Sequence, residues 1–131
     1  MSRIRPYRKE DEAALRAMHA AQGLDYELPD VDHPLFFSRT VLVNEKDEPI
    51  RAVLGRLTSE AFFLEYPDQG SEFTRMREFL KLQEAACADG RARGIDSVHV
   101  WLPPEMKYTF GAQLCRVGWE HHTWLSFARR L

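Results

Sequence analysis

The strongest constraint on this chain lies between Thr40 and Tyr66, where three β-branched and aromatic runs follow one another with little chain between them. TVLVN (Thr40 to Asn44) and PIRAVLGRL (Pro49 to Leu57) are separated by the polar tetrapeptide EKDE, which reads as an antiparallel hairpin. After only Thr58 and Ser59, EAFFLEY (Glu60 to Tyr66) supplies a third run. The pattern predicts a meander of three consecutive strands.

Helical periodicity frames this meander on both sides. RIRPY (Arg3 to Tyr7) is a short strand candidate that Pro6 restricts to an edge or an end position. From Asp11 to Gln22, Ala14, Leu15, Met18 and Ala21 recur at helical spacing behind the acids Glu10, Asp11 and Glu12, and Gly23 stops the helix. Leu24 to Arg39, with two prolines and four acids, reads as a loop with one helical turn at most. Ser71 is the expected N-cap of a long helix whose stripe is Phe73, Met76, Leu80 and Cys87, widened by Phe79 and closed by Arg91, Arg93 and Gly94.

Further on, SVHVWL (Ser97 to Leu102) predicts a buried strand, and Pro103 and Pro104 open a helix to about Val117 with Phe110, Leu114 and Val117 inward. Gly118 ends it, Trp119 packs back, and His122 to Arg129 (HTWLSFAR) is a closing strand. The expected fold is α+β (mixed α/β): one domain, residues 1–131, built on a central mixed, mainly antiparallel sheet with helices on both faces. A chain of 131 residues buries roughly two-thirds of its unfolded surface, enough for a core without staples.

Composition narrows the function classes. Eighteen basic and 20 acidic residues are scattered for a formal net charge of −2, which predicts attraction to neither nucleic acid nor membrane. No apolar run approaches the ~20 residues of a membrane span. The only cysteines, Cys87 and Cys115, fall in helical patterns, and with no signal peptide they point to a reducing, cytoplasmic setting. None of the five histidines has metal-ligand spacing, and Ser97, Ser126 and Cys115 lack the local signatures of activated nucleophiles.

IRPYRKEDEAALRAMH, RAVLGRL followed by EAFFLEYP, GRARGIDSVHVWL and LCRVGW, in this order, resemble the GNAT superfamily of N-acetyltransferases over essentially the whole chain. The resemblance implies acetyl-CoA or another acyl-CoA bound where the fourth strand meets the third helix of that family. There the family uses a Gln/Arg-x-x-Gly-x-Gly/Ala turn, whose glycines let backbone N–H groups approach the pyrophosphate at a helix N-terminus.

This chain has FTRMREF (Phe73 to Phe79) near the expected place, with Gly70 upstream, so the usual motif is missing. The implied substitutes are an N–H nest at Gln69, Gly70 and Ser71, and phosphate-binding guanidinium groups on Arg75 and Arg77. Set against them, Gln69 to Ser71 is also a plain helix cap, and the two arginines a solvated helix face. The tyrosine with which many members protonate the departing thiolate is replaced by Leu114 and Cys115, leaving Glu65 as general base.

Two functions remain open. One is a divergent N-acyltransferase acting on a small amine or a protein amine, with the acids Asp25, Glu27, Asp30 and Asp32 bordering a cationic acceptor. The other is an inactive binding or assembly module. Only twelve residues follow Trp119, so the family's final hairpin is short or incomplete, an edge suited to a homodimer through Trp119, Trp124 and Phe127.

Overall fold

A computed structural model describes residues 1–131, which form two units, Met1–Val98 and His99–Leu131. The fold is mixed α+β, built on an antiparallel three-stranded sheet. In the first unit β1 (Arg3–Pro6) leads through a single 3-10 turn, Lys9–Asp11, into α1 (Glu12–Gln22). β2 (Phe36–Val43) and β3 (Pro49–Arg56) form the predicted hairpin, and the strand order is β1-β2-β3. Arg5 lies opposite Val41 and Val41 opposite Ala52, so the short first strand extends the hairpin as an edge. Pro6 ends that edge strand, where its missing N–H costs least.

Gly23 closes α1 at φ +66, its N–H on the Ala20 carbonyl at 3.2 Å. α1 packs against β3, and Leu15, Val31, Phe36, Val41 and Val43 make the core beneath it. β4 (Ser59–Glu60) pairs with β5 (Val98–His99), the strand within which the first unit ends. Between them runs α2 (Glu72–Ala92). The second unit carries a 3-10 turn, Pro104–Met106, and α3 (Phe110–Arg116), with Leu114 buried. Gly118, at φ +101, ends α3, and the Trp119 N–H returns to the Leu114 carbonyl at 3.1 Å. No helix is long and apolar enough to cross a membrane.

Several expectations change. β2 begins at Phe36, inside the expected loop, because Phe36 buries in the core while Phe37 covers Gly55. A Cβ at Gly55 would stand 2.5 Å from the Phe37 ring, so this aromatic-over-glycine contact needs the bare backbone. The third meander strand shrinks to β4, which pairs with β5 rather than β3, and residues 61–66 join no sheet. Burial nevertheless alternates from Ala61 to Leu64, with Ala61 and Phe63 half-buried and Phe62 and Leu64 exposed, before Glu65 and Tyr66 both stand exposed.

The strand expected over Ser97–Leu102 is reduced to two residues, and the helix expected over Pro104–Val117 divides around Lys107–Thr109. His122–Arg129 joins no sheet, and Trp124, Leu125 and Phe127 are 61%, 85% and 91% exposed. The principal sheet is wholly antiparallel rather than mixed, and its helical packing comes from α1.

A polar knot fastens the hairpin tip to the chain's start. The buried Arg5 guanidinium donates to both Asp11 carboxylate oxygens at 2.7 and 2.9 Å and to Asp47 at 3.0 Å. Asp11, also buried, takes a third bond from the Arg8 backbone N–H at 2.8 Å. Asp47 gathers Arg3 and Arg8 as well, at 2.7 and 2.9 Å, and is the one non-glycine residue with positive φ, +64. Glycine there would relax the backbone but abandon three guanidinium groups. Asp47→Gly and Asp47→Asn are both expected to lower the melting temperature, with the loss shrinking in about 1 M salt, where exposed charges are screened. An unchanged or raised melting temperature in Asp47→Gly would show that the strained backbone outweighs the ion pairs.

Candidate functional site at the start of the long helix

α2 starts as its sequence predicts. Ser71 has extended backbone (φ −73, ψ 160), and its Oγ accepts the Thr74 N–H at 3.1 Å and donates to Thr74 Oγ1 at 3.0 Å. Immediately before it Gly70 stands at φ +79, a conformation that side chains disfavour, and the Gln69 N–H closes a turn on the Tyr66 carbonyl at 3.2 Å. A helix of 21 residues concentrates about half a positive charge at this end. Its first N–H groups, on Glu72 and Phe73, have no partner within the helix.

Arg75 folds back over the turn. Its Nη1 donates to the Pro67 carbonyl, while its Nε is buried without a hydrogen-bond partner. A Cβ on Gly70 would lie 3.7 Å from Arg75 Cγ, so glycine and arginine are stacked. Gln69, Gly70, Ser71 and Arg75 are thus brought together in one turn. Arg77 is exposed on α2 with no hydrogen bond to that turn, and Glu65 is exposed ahead of it. Sequence reasoning missed the Pro67 carbonyl and Thr74. Thr74 has a legible signal, a hydroxyl three residues after the cap; the backbone carbonyl has none.

Electrostatically the turn is divided. Helix end, N–H groups and Arg75 favour an anion, and the exposed Glu72 carboxylate at the first helical position opposes one. The acids of the loop over residues 24–39 are dispersed. Asp32 pairs with Lys9 at 2.6 Å, which holds its carboxyl below the usual range, and Asp30 accepts the Asp32 N–H at 3.0 Å.

Asp25 and Glu27 alternate with Leu24, Tyr26 and Leu28, and only the latter three face a cleft of about 960 Å³ that α1 shares with β3. No carboxylate lines that cleft, although Arg51 and Arg56 do. In the second unit Leu114 is buried and has no proton to donate, Cys115 is exposed, and Tyr108 is 83% exposed. His99 and His122 meet edge to face with ring centres 6.0 Å apart, but no three His, Cys, Asp or Glu side chains converge to hold a metal ion.

No protein-family model, curated protein or solved structure matches this chain.

Proposed function

We propose that this chain is a divergent GNAT-like domain that binds acyl-CoA at the turn before α2 and transfers the acyl group to an amine. The observation that carries the reading is the turn itself: Gly70 at positive φ, a Ser71-capped helix end, and Arg75 Nε buried and unpartnered beside them. These are groups a pyrophosphate satisfies, by N–H donation at the helix end and by a charge-assisted bond from the guanidinium. Glu65 is the base in this reading, taking a proton from the attacking amine as nitrogen bonds to the thioester carbonyl and CoA thiolate leaves.

A second reading, binding without transfer, rests on Leu114 standing where the resemblance expects a tyrosine, since leucine has no proton to give. Thiol release from acetyl-CoA with a panel of primary amines separates the two. Transfer predicts amine-dependent thiol release that falls about 100-fold in Glu65→Gln, within the usual range for a lost general base. Release at the background rate with every amine would overturn it.

A further inference from the structure

β3 is the last strand of its sheet, so one side of its backbone has no neighbouring strand. Five consecutive residues, Ile50 to Leu54, line the cleft. Side chains in a strand alternate between faces, so the unbroken run marks where the cleft, which also takes in Ile4, Thr40 and Leu42 of the neighbouring strands, reaches round the β3 edge. Val53 is 70% exposed, and Arg51 is exposed without an ion pair. Long apolar edges of this kind are templates for another strand. The cleft walls hold no carboxylate, and of their two arginines Arg56 pairs with Asp96 at 3.1 Å while Arg51 is left for a partner, so the fitting strand is apolar with an acid for Arg51.

The chain contains such a strand. Residues 61–66 (AFFLEY) are preceded by Glu60, carry Glu65, and alternate in burial from Ala61 to Leu64 while belonging to no sheet. Phe63 is anchored on Phe79 of α2, with ring centres 4.9 Å apart, and Phe62 and Leu64 stay 78% and 87% exposed. Within one copy the run is drawn away from β3, because β4 immediately before it pairs with β5.

We propose that residues 61–66 of one copy add as a strand to the β3 edge of a second copy, and the reverse, closing a two-fold dimer. Each copy keeps Phe63 on its own α2 and offers Phe62, Leu64 and its backbone to the partner's cleft. The contact leaves Gly70, Ser71 and Arg75 outside it but shares Glu65 with the transfer proposed above, and the Tyr66 carbonyl stays on the Gln69 N–H.

Light scattering of the full chain between about 1 and 100 µM, the usual span for a modest interface, tests this. The wild type is expected to go from monomer to dimer across that range. Val53→Lys and Leu64→Lys change exposed side chains, and each is expected to raise the dimer dissociation constant at least tenfold, with circular dichroism and melting temperature measured on the monomer unchanged. A wild type that stays monomeric at the highest concentration, as it would if the run closed on its own β3, overturns the proposal. So does a dimer that persists undiminished in both lysine variants.

Discussion

Asp11→Ala is expected to lower the melting temperature by about 10 °C or more, since removing one partner of a buried ion pair strands the other charge. Arg5 would lose its bidentate partner and keep only Asp47 and the carbonyls of Pro6 and Asp47. The double variant Arg5→Met with Asp11→Leu is expected to regain most of that loss, because an apolar pair of similar volume incurs no desolvation cost. Acid should have the same effect as Asp11→Ala. The Arg5 hydrogen bonds hold the Asp11 carboxyl below the ordinary range, as they do that of Asp47.

A depressed folded value gives stability that is full above the unfolded carboxylate range, about 4, and is lost as pH falls through the folded value. Melting temperatures from pH 7 to 2 should therefore be level to about pH 5 and then fall, with a shallower fall in Asp11→Asn. An Asp11→Ala protein that melts within about 2 °C of wild type would show that the knot contributes little.

Phe79→Ala is expected to cost about 3 kcal/mol in chemical denaturation, the range for emptying a buried aromatic site. Phe79 is the one buried residue of α2, and Phe63 packs edge to face on it. Phe63→Ala combined with Phe79→Ala should cost less than the sum of the single changes by about 1 kcal/mol, the usual coupling of such a ring pair. The single variant should also expose residues 61–66 to proteolysis, because Phe63 is what fastens that run to the helix. Additive losses and unchanged cleavage would detach the run from α2.

The parts legible in the sequence are those whose cause is local. Ser71 and Gly23 announce helix ends because a hydroxyl or a missing Cβ acts on neighbouring backbone, and EKDE announces a hairpin because few residues must reverse the chain. Residues 61–66 were misread for the opposite reason. Five apolar residues in six satisfy any strand template, but whether they join the sheet depends on β4 being held by β5, 38 residues further on.

His122 to Arg129 joins no sheet for the same reason, since alternation alone does not select a neighbouring strand. At the turn before α2, Gly70 and Ser71 were readable from their backbone demands. The return of Arg75 to the Pro67 carbonyl was not, because a long side chain can reach many partners and the sequence does not select among them.

Calorimetric titration of the full chain with acetyl-CoA and with CoA measures occupancy of that turn most directly. Dissociation constants below about 1 mM for both ligands are predicted, weakened roughly tenfold in Arg75→Gln by loss of one charge-assisted bond and unchanged in Val53→Lys. No heat and no thermal stabilisation at about 5 mM of either ligand would contradict the acyl-CoA reading, since any such site would then stabilise the fold measurably.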